Sequence, residues 1–244
     1  MDLINKRAIV CGSTQGIGKS TAIKLAEMGA SVVLISRNKE RLENVLKELP
    51  VINDAQKHEI LVADFSNPPS LKKALEGYML QDQTIHVLVN NTGGPPGGPI
   101  KDAKTEEFMN AFNQHLICNH ILVQATYPGM QTAGYGRIIN VISTSVKQPI
   151  EGLGVSNTIR GAVANWSKTL ASELGPYGIT VNNVLPGATA TERLTDILHN
   201  VSKKINGTYE DAENKILSIL QNNNNNKSKK NSENIVFYEQ ILSR

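Results

Sequence analysis

Residues 8–30, AIVCGSTQGIGKSTAIKLAEMGA, decide the fold of this chain. The apolar run 8–10 predicts a buried strand, and residues 19–28 have the apolar spacing of a helix. Glycines at 12, 16 and 18 separate the two; they permit a tight turn and let a diphosphate approach bare backbone. The stretch predicts a strand–turn–helix junction that binds phosphate at a helix N-terminus, although an ordinary glycine-rich turn has the same pattern.

The rest of the chain alternates between strand and helix patterns. Further strands are predicted at 31–36, 59–63, 85–89, 137–143 and 180–185, and helices at 37–49, 69–80, 105–127 and 156–174. Such alternation indicates βαβ units, so we expect a single α/β domain with a Rossmann-type, doubly wound parallel sheet. In such a sheet ligands bind at the carboxyl ends of the strands.

Composition narrows the function classes. The chain has 244 residues and a formal net charge of +3, which does not favour a nucleic-acid partner. Cys11 and Cys118 have no disulfide or metal spacing, so we expect no metal and a reducing, cytoplasmic setting. The polar start and the lack of an apolar run of about 20 residues predict neither a signal peptide nor a membrane span.

The end of the second predicted strand indicates which nucleotide is bound. An acidic residue about 20 positions beyond the glycine turn would hold a ribose diol, as in NAD sites. Here Ser36 and Arg37 stand instead, and a hydroxyl beside a guanidinium favours the 2′-phosphate of NADP. The alternative is that Arg37 only begins a solvated helix face, which would leave NAD open.

Four motifs in this order resemble the short-chain dehydrogenase/reductase family over residues 6–198. They are CGSTQGIG at 11–18 for the family's TGxxxGxG, Asp64 for its adenine-contacting aspartate, NNTG at 90–93 for NNAG, and Pro186-Gly187 with Thr191 for PGxxxT. With Ser36 and Arg37, the resemblance implies a cofactor site of Gly12, Ser13, Gln15, Gly16, Ile17, Gly18, Asp64, Asn90, Arg160, Pro186, Gly187 and Thr191.

The family's catalytic positions are altered in this chain. Ser143 matches its serine, but the Tyr-x-x-x-Lys pair aligns on Ser156 and Arg160, and the helix asparagine aligns on His115. Serine is a far poorer acid than tyrosine, and arginine does not give up its proton in proteins. In one hypothesis His115 donates the proton, Ser143 binds the substrate oxygen and Arg160 polarises the carbonyl through its charge. In the other, His115 is a structural histidine on a helix face with no catalytic role.

The chain after residue 198 departs from the family pattern. We expect a substrate-covering helical segment at 199–221, a low-complexity asparagine-rich stretch at 222–232 and a terminal helix at 233–244. The family's seventh, edge strand is missing from the pattern, so six strands are expected. The long helices 105–127 and 156–174, which form a dimer interface in the family, are retained, so we expect a homodimer through them.

Two functions remain open from the sequence. The first is an NADP-dependent oxidoreductase that transfers hydride between the cofactor and a small carbonyl or alcohol substrate. Residues 156–160 and 182–187 and the loop GGPPGGP at 93–99 resemble a divergent subgroup of the family, which is similar to 3-oxoacyl-carrier-protein reductases. The second is a catalytically weak or inactive NADP-binding sensor or interaction protein. The intact cofactor motifs favour the first, and the altered catalytic positions favour the second.

Overall fold

The computed structural model describes residues 2–80, 84–187, 189 and 192–223. Within these residues six parallel strands form one sheet in the order β3-β2-β1-β4-β5-β6, which confirms the predicted Rossmann-type α/β fold. The strands are β1 Arg7–Cys11, β2 Ser31–Ser36, β3 Glu59–Val62, β4 Val87–Asn90, β5 Gly136–Val141 and β6 Ile179–Val184.

Helices cover both faces of the sheet. They are α1 Gly16–Glu27, α2 Lys39–Glu48, α3 Pro68–Met79, α4 Thr105–Phe112, α5 Cys118–Thr132, α6 Gly154–Leu174, α7 Glu192–Ile205 and α8 Tyr209–Asn223. Alternate strand residues point to opposite faces. Ala8 and Val10 therefore pack with α1 and α2, whereas Ile9 and Cys11 pack with α3, α5 and α6.

The prediction of one helix over residues 105–127 is wrong in two respects. A π-helical turn, Asn113–Ile117, separates α4 from α5, and α5 continues through Pro128 to Thr132. Proline usually ends a helix because it lacks the N–H and its ring clashes with the preceding turn. Here the helix continues past Pro128 for one more turn, and Met130 in that turn is fully buried against the sheet.

Helical structure after β6 is divided into α7 and α8. Asn206 has a left-handed backbone, with φ of 52°, and the Asn206-Gly207 pair reverses the chain between the two helices. The predicted segment boundary at 198 falls within α7, and Asn222 and Asn223 form the end of α8. The rest of the asparagine-rich stretch and the predicted helix 233–244 lie outside the described residues.

A compact group of polar side chains lies at the N-terminal ends of the strands, away from the predicted site. Arg7 forms an ion pair with Glu59, and the hydroxyl of Tyr78 donates to Glu59 Oε2 at 2.8 Å. The Arg7 N–H donates to Nδ1 of His86 at 3.1 Å. Burial, followed by the charges of Lys6 and Arg7, lowers the pKa of His86 to about 4.

We expect His86 to make folding sensitive to acid. Its pKa is lower in the folded chain than its ordinary value of 6.5, so the unfolded chain binds the proton more readily. The stability that neutral His86 contributes is complete above pH 6.5 and decreases as the pH falls towards 4. For this half-buried group the loss should be about 1–2 kcal/mol after allowance for solvent screening.

The measurement is chemical denaturation between pH 7 and pH 4.5, on the wild type and on His86→Asn. Asparagine is the matched control because its Oδ1 can accept the Arg7 N–H without titrating. The wild type should lose more unfolding free energy than the variant as the pH falls. A constant difference across this range would contradict the assignment.

Candidate active site

The glycine-rich turn joins β1 to α1 at the carboxyl edge of the sheet. Gly12 and Gly16 have positive φ angles of 58° and 53°, which other L-residues adopt at a cost. A Cβ on Gly18 would lie 2.2 Å from the carbonyl oxygen of Gly12. The turn is therefore closed against itself, and it presents bare backbone at the N-terminus of α1, where anions bind.

Asn91, the residue that follows the neighbouring strand β4, holds this turn. Its Nδ2 donates to the carbonyl oxygens of Cys11, at 3.2 Å, and Gly12, at 3.3 Å. A Cβ on Gly12 would lie 2.8 Å from the same Nδ2. Asn91 was not among the predicted site residues, although the NNTG motif contains it; its contact partner, 80 positions earlier in the chain, could not be read from local pattern.

The other residues of the turn continue the same edge. Ser13 is fully buried, and both its N–H and its hydroxyl approach the carbonyl oxygen of Ile35 at 3.4 Å. Gln15 precedes the first turn of α1 in extended conformation, and Ile17 is partly buried against the core. The turn is thereby joined to β2, which ends one residue after Ile35.

Ser36 is the last residue of β2, and Arg37 follows it near Asp64, which comes after β3. The Ser36 carbonyl accepts the N–H of Ala63 at 3.0 Å, so the ends of β2 and β3 are adjacent. The pKa of Asp64 is lowered, chiefly by its hydrogen bond from the Ser66 backbone and, in smaller part, by the charge of Arg37. This rim thus carries an exposed guanidinium near an ionised carboxylate.

Ser143 follows β5 and lies beside the end of β6. The Thr144 N–H donates to the carbonyl oxygen of Pro186 at 3.2 Å, which joins the two strand ends. The Ser143 Oγ accepts the N–H of Ser145 at 3.1 Å, so its own proton can be donated to another oxygen. Gly187 continues this loop with open space where a Cβ would be, and the predicted Thr191 lies outside the described residues.

His115 lies in the π-helical turn between α4 and α5. Its side chain is 2% exposed, and α6 packs against the turn. π-helical turns within α-helices occur often at functional sites because the extra residue redirects a side chain. The turn that carries His115 therefore packs against the helix that carries Ser156 and Arg160.

Ser156 and Arg160 lie one helical turn apart in α6 and so share a face. Ser156 is partly buried, whereas Arg160 is only 9% exposed. Arg160 Nη1 donates to the carbonyl oxygen of Val141 at 2.7 Å, two residues before Ser143. A permanent positive charge is therefore held below the serine at the end of β5.

The loop after β4 is tied to the beginning of α6. The Gly98 N–H donates to the Gly152 carbonyl at 2.7 Å, and the Gly154 N–H donates to the Gly98 carbonyl at 3.0 Å. A Cβ on Gly154 would lie 2.5 Å from Cα of Ile100. These contacts fix the first turn of α6, two residues before Ser156, against the loop that follows Asn90 and Asn91.

A chain of polar side chains, here called the asparagine chain, links the buried Asn90, Asn140 and Ser167 to the half-buried Asn183. Nδ2 of Asn90 donates to Oδ1 of Asn140 at 2.8 Å, Nδ2 of Asn140 donates to Oγ of Ser167 at 2.9 Å, and Ser167 lies 2.8 Å from Oδ1 of Asn183. Within the described part of the chain, Oδ1 of Asn90 is buried without a hydrogen-bond partner. The asparagine chain joins β4, β5, β6 and α6 below the site.

A profile of the family described as short chain dehydrogenase matches residues 6–202, more than half of the chain. This chain belongs to the short-chain dehydrogenase family. The matched residues contain every described element of the site, from the glycine-rich turn to the end of β6, and so confirm the family resemblance.

Individual short-chain dehydrogenases support the same assignment. The NADPH-dependent reductase BacG of Bacillus subtilis (strain 168) is 29% identical over 213 residues, 87% of this chain and 82% of that protein. The inactive hydroxysteroid dehydrogenase-like protein 1 of Homo sapiens is 31% identical over 201 residues, 80% of this chain and 60% of that protein. The crystal structure of L-sorbose reductase from Gluconobacter frateurii, with NADPH and L-sorbose, superposes with a TM-score of 0.78 at 26% identity, covering 86% of this chain and 80% of that one.

The described residues contain neither a membrane-spanning helix nor a group of metal-ligating side chains. None of its described helices is long and apolar enough to cross a bilayer. The described histidine, cysteine, aspartate and glutamate side chains form no group of three that could hold a metal ion.

Proposed function

We propose that this short-chain dehydrogenase is an NADP-dependent oxidoreductase that interconverts a carbonyl and an alcohol. The observation that carries the proposal is the closed glycine-rich turn, in which Gly18 leaves no room for a Cβ and Asn91, just after β4, fixes the backbone. The glycines of such a turn cost conformational entropy on folding. In exchange, the turn provides a surface on which a diphosphate can bind backbone N–H groups.

The residues around the turn fit NADP better than NAD. Arg37 lies at the end of β2, where an NAD site would carry an acidic residue, and its guanidinium suits a phosphate. Oδ1 of Asn90 is a buried acceptor without a partner in the described residues, which suits a donor from a bound ligand. The name of BacG and the NADPH in the L-sorbose reductase crystal support the same choice.

When bound, the nicotinamide supplies or takes up the hydride at the substrate carbon. Ser143 would hold the substrate oxygen, because its Oγ already accepts the Ser145 N–H and its proton is left to donate. Arg160, held by the Val141 carbonyl, would stabilise negative charge that develops on that oxygen and would approach the ribose hydroxyls. Ser156, on the same face one turn earlier, would add a hydroxyl to the pocket.

The substrate oxygen must gain one proton for each hydride added to the carbonyl carbon. We assign that proton to His115, since histidine can donate near neutral pH and the π-helical turn points to a specialised position. Solvent would then return the proton to the imidazole. Ser156 is too weak an acid to donate this proton, and Arg160 does not give up its proton in proteins.

A second candidate is a catalytically weak or inactive NADP-binding protein that senses the cofactor or binds a partner. The replacement of the family's tyrosine and lysine by Ser156 and Arg160 favours it, because the cofactor-holding charge is retained while the usual acid is lost. A relative at 31% identity is itself named inactive.

Two measurements on the full chain separate these candidates. NADPH binding is followed by fluorescence, and turnover is then measured on a panel of ketones, aldehydes and 3-oxoacyl thioesters, the last because the subgroup resembles oxoacyl reductases. Binding with turnover supports the oxidoreductase, and binding without turnover supports the inactive protein. A folded chain that binds no NADPH would contradict both.

Variants of the catalytic positions test the assignment of the acid. His115→Asn should lower kcat at least about 100-fold, the usual contribution of a positioned general acid, and leave NADPH affinity unchanged. The double variant Ser156→Tyr with Arg160→Lys restores the family's pair. If activity is found only in that double variant, the native site has lost its catalyst and the second candidate holds.

Setting and assembly complete the proposal. A reducing cytoplasm suits two buried thiols, and burial raises the pKa of Cys118 to about 12, so it stays protonated. We propose a homodimer through α4, α5 and α6, where the exposed His120 lies edge-on to Trp166 with ring centroids 6.2 Å apart. Sedimentation of the full chain should give twice the monomer mass of 26.5 kDa.

A further inference from the structure

We propose that Arg41 is a second specificity-determining residue, which would contact the 2′-phosphate of NADP together with Arg37. This inference rests on the proposed NADP site. It starts from one contact that the sequence did not reveal: Nη1 of Arg41, in the first turn of α2, donates to Oε1 of Gln15 in the glycine-rich turn at 3.1 Å. The guanidinium thus extends across the opening between the end of β2 and the beginning of α1.

The backbone of Arg41 is held by the cap of α2. Oδ1 of Asn38 accepts the Arg41 N–H at 2.9 Å, and the Asn38 carbonyl accepts the Leu42 N–H at 3.1 Å. Asn38 follows Arg37 directly, so the cap sets the spacing between the two arginines. Both guanidinium groups therefore emerge at the positive end of the α2 dipole, which adds to their attraction for an anion.

Gln15 positions the Arg41 side chain without neutralising it. Gln15 is the N-cap residue of α1, yet its side chain makes no capping hydrogen bond and accepts from Arg41 instead. The amide oxygen accepts one guanidinium N–H and carries no net charge. The guanidinium therefore keeps its full positive charge, and its other N–H groups are left to donate to a ligand. The contact orients Arg41 towards the same turn that would bind the diphosphate.

Two carboxylates of α2 are engaged with other cations, and Asp64 lies near Arg37 but not within ion-pair distance of it. Glu48 forms an ion pair with Lys19 at 2.7 Å, and Glu43 with Lys39 at 3.7 Å. Over the ranges that the structure describes, neither Arg37 nor Arg41 has a carboxylate within ion-pair distance. Two arginines on one rim, with no acidic partner at contact distance, form a place for a doubly charged phosphate.

The position of this pair corresponds to the ribose of the adenosine half of the cofactor. A dinucleotide with its diphosphate on the glycine-rich turn places that ribose at the end of β2, where Arg37 lies. Arg41 approaches the same place from α2. A 2′-phosphate would meet both guanidinium groups, whereas the 2′-hydroxyl of NAD would gain little from either.

The test is the equilibrium binding of two adenosine nucleotides and two cofactors to the full chain. Adenosine 2′,5′-bisphosphate and NADPH carry the 2′-phosphate; 5′-AMP and NADH lack it. Arg41→Ala should weaken the first two by about 10-fold to 100-fold, as expected for one charge-assisted contact, and change the last two by less than about twofold. Arg37→Ala should weaken the same two ligands and spare the other two. The double variant Arg37→Ala with Arg41→Ala should bind NADPH no better than NADH.

Lys39→Ala is the matched control, because Lys39 lies in the same turn of α2 and is 70% exposed. It removes one positive charge from the helix and should change every affinity by less than about twofold. Equal effects of Lys39→Ala and Arg41→Ala would overturn the proposal, as would an Arg41→Ala variant that retains NADPH affinity or loses NADH affinity equally. Failure of the wild type to bind either phosphorylated probe would instead contradict the NADP site itself.

Discussion

Replacing Gly18 with alanine is expected to weaken NADPH binding strongly. The added Cβ would lie 2.2 Å from the Gly12 carbonyl oxygen and 2.8 Å from Asn91 Nδ2, far inside van der Waals contact. Both neighbours belong to the turn, so relief of the clash must open the backbone cradle itself. We expect the NADPH dissociation constant to rise at least about 100-fold, a loss of roughly 3 kcal/mol, measured by fluorescence titration.

Gly77→Ala is the control for this change. Gly77 is an exposed residue near the C-terminal end of α3 and is not part of the candidate site. No atom lies within 4 Å of an added Cβ there. Alanine there should leave NADPH affinity unchanged and increase the unfolding free energy by up to about 1 kcal/mol, because alanine is the better helix former. NADPH affinity in Gly18→Ala within about threefold of the wild type would show that the turn does not bind the cofactor.

Replacing Asn140 with leucine is expected to cost the largest loss of stability. Asn140 is fully buried; its replacement leaves Nδ2 of Asn90 without its acceptor and Oγ of Ser167 without its donor. A buried polar group that loses its partner costs about 1–3 kcal/mol, so the unfolding free energy should decrease by about 2–4 kcal/mol. Urea denaturation measures it, with an unchanged slope if two-state unfolding is preserved.

Asn182→Ala provides the matched comparison on β6. Asn182 is partly exposed, and its side chain makes one long bond, 3.3 Å, to the Thr180 hydroxyl. This variant should lose less than about 1 kcal/mol. If Asn140→Leu and Asn182→Ala are equally stable, the asparagine chain contributes nothing beyond ordinary surface amides.

Much of the fold could be predicted from the sequence because its central strands β1, β2 and β4 are short, mostly apolar and buried on both faces. The strand 31–36 was predicted with the bounds that the structure gives, and the other strands to within two residues. The helix from 105 was less predictable, because a π-helical turn preserves the apolar spacing on either side of it. The helix also continues past Pro128, and no local pattern marks that.

The candidate site was predictable only where its chemistry is local in sequence. The glycine-rich turn, Ser36-Arg37 and the end of β5 are contiguous stretches whose residue types indicate their use. Asn91, Arg41 and Ser167 act through partners 16 to 80 positions away, so no local pattern marks them. The predicted roles of Ser143, His115, Ser156 and Arg160 stay predictions until the variants are measured.

The π-helical turn at Asn113–Ile117 has a consequence for how the two ends of its helix are related. One extra residue in a helical turn shifts the angular phase of everything that follows by about 100°. The inward faces of α4 and α5 are therefore out of step by one residue, and His115 lies at the point of the shift. Deleting a single residue from the turn would restore continuous phase and rotate α4, with Ala111, away from the α6 residues it now contacts.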